Sequence, residues 1–526
     1  MKKRLAFIIL IAWLLPALAC NYPVASSSSQ GVSGQELRQT LAASEPGSEV
    51  SPTTVPVIVK TPEPDDFPGL FTATPGNIQD QATPEPGNSD STAFFDYIAQ
   101  SGDTLPALAK RFGVEPDQIA SAAPLPAEAF ITPGQPLRIP DTVDQIQYPS
   151  ALLPDSEVVD SPVMAGFDIQ AFIQNAGGYL STYREQVDEK TLSGAEIVQR
   201  IALDYSISPK ILLAFLEYRS HWVYGQPSGP DAINYPIGFR VPGETGLYTE
   251  LLFTAKQLNI GYYGWRAGTL TTIKFLDQST ARLDPRLNAG TITVQRLFSL
   301  FYKRSPWQNA LYGTDNFISL YTQMFGDPWA EAARIEPLFP AGLAQPPLEL
   351  PFSVGERWSF SGGPHAAWDT GSPLGALDFS PVTGQAPCVV PNVWVTASAA
   401  GVVTRSDHNL VAVDLDGDGS EQTGWVLIYY HVADKERVSP GTRVNTDDHI
   451  GHPSCEGGKT TGTHVHIARK YNGEWLPAAG PLPFVLSGWQ VVGGTKIYEG
   501  SLVKGDKEVV ASPVGPQTSI IVRQTH

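Results

Sequence analysis

The chain is 526 residues long, which is enough for two to four domains of ordinary size. Its 35 Lys and Arg residues face 53 Asp and Glu residues, and the formal net charge of −18 argues against nucleic acid or an anionic membrane surface as the main partner. The 48 glycines and 46 prolines predict linkers and turn-rich β structure beside the folded domains.

Residues 1–20 have the pattern of an export signal. Basic residues at 2–4 precede an apolar run that is too short to span a membrane comfortably, and small residues then precede Cys20. This ending resembles the lipobox of bacterial lipoproteins, in which the cysteine is lipidated, although Ala17 stands where that motif usually has leucine. A conventional signal peptide cut near Ala19 is the alternative. Either form predicts export, and the resemblance implies a lipid anchor at Cys20 that holds the protein on the membrane facing the cell wall.

Residues 21–92 are rich in Ser, Thr, Pro, Glu and Gly, and the tetrapeptide TPEP occurs at 61–64 and at 83–86. So few apolar residues cannot offset the entropy lost on ordering the chain, which predicts a disordered, extended tether. Such a tether suits a lipid-anchored protein that must reach across a distance.

Residues 93–141 predict a small βααβ module. A strand leads to the turn Gly102-Asp103-Thr104, apolar residues follow at helical spacing, a second helix is expected near 115–123, and a strand closes the module. The runs G-D-T-L, R-F-G-V and P-G-Q-P-L-R-I-P are similar to the LysM module, a family that binds glycans containing N-acetylglucosamine. The resemblance implies glycan binding, with Gly102, Asp103 and Thr104 as the turn residues able to touch sugar.

Residues 165–340 predict a mainly helical domain. One of its helices contains the run I-L-L-A-F-L-E-Y-R-S-H-W, which resembles the lysozyme-like lytic transglycosylases, where an apolar run is followed by a catalytic glutamate and a serine. Aligning Ser220 with that serine places Arg219 at the acid position, and an arginine cannot donate a proton near neutral pH. Glu217 lies roughly 200° around the helix from it. We therefore expect a lysozyme-like domain that does not hydrolyse glycan, with an active glycosidase that uses Glu217 as the alternative.

Residues 345–505 predict an antiparallel, all-β domain, because short β-prone runs alternate with Gly, Pro and Asp. Four of the chain's nine histidines fall here in suggestive positions with one aspartate: His365, Asp378, His431, His464 and His466. Two histidines and a carboxylate can hold zinc and leave its fourth position open for water, as in a catalytic site. Two further histidines can then move protons and stabilise an oxyanion.

The same residues lie in motifs that resemble a known family. GGPH, A-L-D-F, Y-Y-H and C-E-G-G-K-T-T-G-T-H-V-H look like the lysostaphin-type zinc endopeptidases, nearest to their beta-lytic and staphylolytic branch. The resemblance implies one Zn²⁺ held by His365, Asp378 and His466, with His431 and His464 as catalytic histidines. It also implies cleavage of stem or cross-bridge peptides in peptidoglycan. A non-enzymatic wall-binding protein, or an activator of other wall hydrolases with a vestigial site, is the alternative.

Cys388 and Cys455 are expected to form a disulfide, because an isolated pair in an oxidising compartment has no simpler use. Cys455 also falls where the beta-lytic branch keeps a disulfide cysteine. The segment from Asp414 to Gly419 starts like a calcium loop, but Trp425 stands where an EF-hand needs its bidentate glutamate, so a polar hairpin turn is favoured. With residues 506–526 as a tail, the sequence predicts a multidomain α+β protein.

Overall fold

The computed structural model describes residues 93–143, 148–458 and 460–524. The predicted signal peptide, the lipidation site Cys20 and the tether at 21–92 lie outside these residues. Within the described part of the chain, no helix has both the length and the apolar character needed to cross a bilayer.

The first module contains β1 (Phe94–Ile98), α1 (Leu105–Phe112) and β2 (Pro136–Pro140). The two strands pair antiparallel, and the helix begins where the side chain of Thr104 accepts a hydrogen bond from the backbone of Ala107. In place of the predicted second helix there is a short 3-10 turn, Pro116–Gln118. The chain cannot continue as a helix, because the backbone of Ala120 exchanges hydrogen bonds with Arg138 of β2.

The second domain is mainly helical. It contains α2 (Ile169–Ala176), α3 (Tyr179–Thr182), β3 (Arg184–Val187), β4 (Lys190–Ser193), α4 (Gly194–Tyr205), α5 (Pro209–Ser220), α6 (Pro230–Asn234), α7 (Leu247–Arg266), β5 (Thr272–Lys274), β6 (Thr280–Arg282), α8 (Ala289–Ser299), α9 (Arg304–Tyr312), α10 (Phe317–Phe325) and α11 (Pro328–Ala332). A capping box between Ser193 and Glu196 starts α4, and Ser208 caps α5 ahead of a first-turn proline. Helix α5 is the centre of this domain, since every residue from Ile211 to Leu216 is at most 1% exposed.

The third domain is built from strands. It contains β7 (Arg357–Ala366), β8 (Leu374–Pro381), β9 (Val395–Thr396), β10 (Gly401–Asp407), β11 (Leu410–Asp414), β12 (Trp425–Tyr430), β13 (Arg443–Val444), β14 (His449–Gly451), β15 (Val465–Tyr471), β16 (Glu474–Trp475), β17 (Val485–Leu486), β18 (Trp489–Gly493), β19 (Gly500–Lys504), β20 (Lys507–Val510) and β21 (Ile520–Val522). The main sheet has the order β13-β10-β11-β12-β15-β8-β7-β21, with β16 paired to β15. All of its pairings are antiparallel.

The predicted boundary at residue 505 falls inside a hairpin. Strand β20 pairs with β19, and β21 pairs with β7 at the end of the main sheet. Residues 507–522 are therefore part of the β domain, although the sequence analysis placed them in a separate tail.

Both faces of the main sheet are covered, which explains why its central strands are apolar on both sides. Leu427 and Ile467 point to one face and pack into the β domain's own core. Their neighbours Ile428 and Ala468 point to the other face and join the core of the helical domain. The helical domain therefore supplies the second layer of this sheet.

Polar contacts reinforce the junction between the domains. The guanidinium of Arg405 pairs with Asp204, and the hydroxyl of Tyr205 donates to Asp369 at 2.7 Å. Arg266 pairs with Glu474 at 3.0 Å and also donates to the carbonyl oxygen of Ser101 in the first module. A single, largely buried arginine thus touches all three domains.

Candidate metal centre

Three side chains from neighbouring strands converge on one face of the main sheet. His466 on β15 lies directly opposite Asp378 on β8, so both side chains point the same way. His365 lies on β7, the next strand, whose register against β8 shifts on both sides of it. This irregular stretch of β7 turns His365 toward the other two. The face is the one that the helical domain covers further along the sheet.

The three donor atoms have the spacing that a tetrahedral metal requires. Nε2 of His365 lies 3.0 Å from Nδ1 of His466 and 3.2 Å from Oδ1 of Asp378, and the remaining pair is 3.5 Å apart. Zinc–ligand bonds of about 2.0–2.2 Å at tetrahedral angles separate the donors by about 3.3–3.6 Å.

Burial supports the same interpretation. His365 is 5% exposed, His466 is 6% exposed and Asp378 is 8% exposed. Oδ1 of Asp378 is buried and makes no hydrogen bond to any described residue. A buried carboxylate oxygen without a hydrogen bond is costly, and a divalent cation would remove that cost. The donor set therefore fits one zinc ion.

Backbone carbonyls hold the two imidazoles by their far nitrogens. Nδ1 of His365 lies 2.9 Å from the oxygen of Gly363, and Nε2 of His466 lies 3.1 Å from the oxygen of Ala367. Each ring therefore carries its proton on the outer nitrogen and presents a lone pair to the centre. This is the second layer of contacts that fixes the tautomer of a metal-binding histidine.

The two glycines of the GGPH run are needed for close packing. A Cβ on Gly362 would lie 2.6 Å from Oδ2 of Asp378, and a Cβ on Gly363 would lie 2.6 Å from the carbonyl oxygen of Glu499. Only glycine leaves room for the carboxylate on one side and for the 494–499 loop on the other.

Two more histidines stand beside the centre. The rings of His431 and His464 are 4.5 Å apart, and Nε2 of His464 lies 3.8 Å from Oδ1 of Asp378. Their Nδ1 atoms lie 2.9 Å and 2.7 Å from the carbonyl oxygens of Glu456 and Gly462. Each ring is therefore anchored at Nδ1, and Nε2 is its other ring nitrogen.

His431 adopts an unusual backbone conformation. Its φ of 61° lies in the left-handed region, directly after the end of β12. The backbone N–H and the hydroxyl of Ser454 both donate to its carbonyl oxygen at 2.8 Å, which holds the residue in place. Backbone strain of this kind is common at functional sites.

The titration of the cluster follows from burial and from its own charges. Burial raises the pKa of Asp378, but the neighbouring imidazoles, His365 first, outweigh it and hold that pKa well below its ordinary value. Burial also lowers the pKa of His365, but Asp378 outweighs it and the net shift is upward. Burial and then the charge of His464 lower the pKa of His431 to about 4, so His431 is neutral at physiological pH.

Two tyrosines that were not among the predicted site residues border the metal centre. The ring of Tyr498 stacks on His365 with centroids 4.4 Å apart, and Tyr430 contacts His431 at 4.3 Å. Tyr430 could have been noticed in the Y-Y-H run. Tyr498 has no local signal, because it reaches the site only through the turn between β18 and β19.

The predicted disulfide between Cys388 and Cys455 is confirmed. It joins the loop at 382–394 to the segment that leads into β15. The backbone N–H of Cys388 also donates to the hydroxyl of Thr463 at 3.0 Å, one residue before His464. The bridge therefore steadies the approach to that histidine.

The turn predicted to touch glycan has structural roles in this arrangement. Asp103 is fully buried, pairs with Arg111 at 2.5 Å and accepts a hydrogen bond from Tyr97. Gly102 is buried against Arg266 of the helical domain, where an added Cβ would lie 2.9 Å from Nη1. Thr104 caps α1. A sugar cannot reach Gly102 or Asp103 while the module is packed in this way.

Glu217 also has a structural role. Its carboxylate accepts hydrogen bonds from the backbone of Val223 at 2.8 Å and of Tyr224 at 3.0 Å, and the residue is buried. These contacts hold the loop after α5, and they leave the carboxylate poorly placed to act as a general acid.

A second acidic group lies in the connection between β11 and β12. Oxygens of Asp414, Asp416 and Asp418 come within 4.8 Å of one another. Asp414 accepts from the backbone of Asp416 at 3.1 Å and of Gly419 at 2.8 Å, so it organises a polar hairpin loop of the kind that the sequence favours.

Two family models match separate parts of the chain. Residues 97–140 match the family model described as the LysM domain, and residues 151–338 match the one described as LasA, N-terminal domain. Protease LasA of Pseudomonas aeruginosa (strain UCBPP-PA14) is 28% identical over 367 residues, which cover 65% of this chain and 79% of the relative. Beta-lytic metalloendopeptidase of Lysobacter enzymogenes is 30% identical over 159 residues, which cover 29% of this chain and 83% of the relative. The solved structure titled "A Novel M23 Metalloprotease Pseudoalterin from Deep-sea" is 25% identical, covers 32% of this chain and 96% of its own, and has a TM-score of 0.27.

Proposed function

Because the chain belongs to the beta-lytic branch of the lysostaphin-type metallopeptidases and carries a LysM module, we propose that it is a zinc-dependent endopeptidase that cuts peptide bonds in peptidoglycan. The observation that carries the proposal is the cluster of His365, Asp378 and His466. Its three donor atoms lie 3.0–3.5 Å apart, and one of them is a buried oxygen with no hydrogen bond to a described residue.

His365, Asp378 and His466 would hold the metal. Zinc bound there supplies a Lewis acid for the scissile carbonyl and lowers the pKa of a bound water to about 7. Gly363 and Ala367 keep the two imidazoles in the tautomers that bind metal, through their carbonyl oxygens.

His431 and His464 would handle the proton and the developing charge. Both rings are fixed at Nδ1 by backbone carbonyls, so each offers Nε2 to the substrate side of the centre. One ring could take the proton of the attacking water on its Nε2 lone pair, and the other, when it carries a second proton on Nε2, could donate to the oxyanion. Their rings lie 4.5 Å apart, close enough for both to act on one scissile peptide.

We place the substrate in the bacterial cell wall. The LysM module would hold glycan, the β domain would cut stem or cross-bridge peptides, and a lipid anchor at Cys20 would keep the protein on the membrane. Small residues beside the cut, often glycine, are what the family resemblance implies. Since Gly102 is covered by Arg266 and Asp103 is fully buried, glycan contacts would have to come from other parts of the module.

The helical domain would be a lysozyme-like domain that does not hydrolyse glycan. The buried hydrogen bonds of Glu217 to Val223 and Tyr224 support this assignment. In the proposed division of the chain, residues 93–141 form the LysM module, 165–340 the helical domain and 345–505 the peptidase. Strands β20 and β21 pair with β19 and β7, so they extend the peptidase domain beyond residue 505.

Digestion of purified peptidoglycan tests the proposal directly. The full chain should release new peptide termini, identifiable by mass, and a chelator should stop their release. His466→Ala should abolish the activity together with near-stoichiometric zinc binding, whereas Arg334→Gln, an exposed change in the helical domain, should alter neither. A protein that binds wall, contains no zinc and releases no termini would instead be a non-enzymatic binding protein or an activator of other hydrolases.

A further inference from the structure

A polar cavity lies in the helical domain. The residues that line it are far in sequence from those of the metal centre. The cavity has a volume of about 360 Å³ and lies between the end of α5 and the segment at 228–240. Its walls include Arg219, Asp231, Tyr235 and Arg240. This volume is at the lower end of the range of small-molecule sites, which is enough for one sugar ring or two amino acids.

Arg219 is held rigidly at the edge of this cavity. Its Nε donates to the carbonyl oxygen of Ile237 at 2.8 Å, and its Nη1 donates to the hydroxyl of Tyr302 at 2.9 Å. The guanidinium also lies over the ring of Phe301, 4.6 Å from its centroid. The plane of the guanidinium is therefore set before any ligand arrives.

The same guanidinium has donors to spare. Among the described residues, Arg219 has no carboxylate within ion-pair distance, and its Nη2 makes no hydrogen bond. Gly238 leaves room for this nitrogen, since a Cβ there would lie 2.9 Å from Nη2. A pre-oriented guanidinium with unused N–H groups is suited to a carboxylate, which accepts two parallel hydrogen bonds from it.

The other charges of the cavity leave the anion site open. Arg240 is paired with Asp231, through Nη2 to Oδ2 at 2.5 Å and Nε to Oδ1 at 3.4 Å. The three charged walls of the cavity thus sum to one positive charge, contributed by Arg219. Arg219 is also the residue that stands at the acid position of the lysozyme-like pattern.

We propose that this cavity is a second binding site, which takes a small polar ligand through a carboxylate held by Arg219 and which cleaves nothing. The site itself does not depend on the peptidase activity. Only the choice of peptidoglycan as the source of the ligand rests on the proposed function. Wall material offers the required carboxylate in two places, on its acidic amino sugar where the stem peptide has been removed and at the free end of its peptides.

Titration calorimetry on the full chain, with chelator present, tests binding apart from peptidase activity. The probes are N-acetylmuramic acid, neutral N-acetylglucosamine and D-alanyl-D-alanine. We expect at least one of the two carboxylate probes to bind, and to bind at least tenfold more tightly than the neutral sugar. The tighter of the two identifies the source. If neither carboxylate probe binds at millimolar concentration, or if the neutral sugar binds equally well, the proposal is overturned.

Two variants locate the binding. Arg219→Gln should weaken binding of the carboxylate probe at least tenfold, and Arg334→Gln, which changes an exposed arginine in the turn after α11, is the matched control. Ser228→Trp fills the cavity from an exposed position at its rim, so it tests the site even if Arg219→Gln unfolds the domain. Unchanged affinity in a folded Ser228→Trp protein would place the ligand elsewhere and refute the assignment.

Discussion

Gly362→Ala should disable the metal centre without unfolding the domain. The new methyl group would lie 2.6 Å from Oδ2 of Asp378, whereas ordinary contacts begin near 3.4 Å, so the carboxylate must retreat by about 0.8 Å. Metal–ligand distances tolerate only about 0.2 Å. A displacement four times that size removes one of three protein ligands from its position. We expect zinc affinity to fall by at least the roughly 10–100-fold that loss of a supporting contact typically costs.

Competition with a chromophoric chelator measures that affinity, and circular dichroism with a melting curve shows whether the fold is intact. Gly493→Ala, in the same domain, is the matched control, because its Cβ would meet only the Cβ of Ala479 at 3.3 Å. It should bind zinc like the unmodified protein. If Gly362→Ala kept full zinc affinity and a normal melting temperature, the position of Asp378 in the centre would be refuted.

Other perturbations test the remaining parts of the structure. His431→Ala and His464→Ala should each lower kcat by about 10²–10⁴ in the wall digestion assay, while zinc content, measured by atomic absorption, stays near one ion. Replacing both Cys388 and Cys455 by serine opens a loop with a sequence separation of 67 and should cost about 4 kcal/mol of unfolding free energy in urea titrations; an unchanged midpoint would contradict this. Burial raises the pKa of Asp160 to about 7, so the folded state keeps a proton that the unfolded state releases, and stability should fall by up to about 4 kcal/mol as pH rises from about 4 to 7. The stability of Asp160→Asn should not fall over this pH range. If the stability of the two proteins changed with pH at the same slope, the pKa of the Asp160 carboxyl group would not be raised.

The residues of the metal centre could be predicted because they lie in short local motifs. His464 and His466 are two residues apart on a strand, and Asp378 follows GGPH at a distance that two adjacent strands can span. The structure places all five predicted residues together, and their roles stay predictions. Tyr498 could not be predicted, since its contact with His365 depends on how the β18–β19 turn folds over the sheet.

The surroundings of the LysM turn could not be predicted for a similar reason. Gly102 and Asp103 belong to a motif that is complete within the module, and nothing in it indicates a partner. Arg266, which covers the turn, is 164 residues away from Gly102 in the chain and is brought there by the packing of α7. A local pattern specifies the turn, but long-range packing decides whether solvent can reach it.

The main sheet is covered on both faces, and this determines what proteolytic cleavage between the helical and β domains would do. Ile428 and Ala468 on one face belong to the same core as the helices, and partly buried ion pairs such as Arg405 with Asp204 cross the junction. A protease that nicked the connection near residues 340–347 would break one covalent bond and leave this contact intact. The two fragments would remain bound to each other, and separating them would require a denaturant.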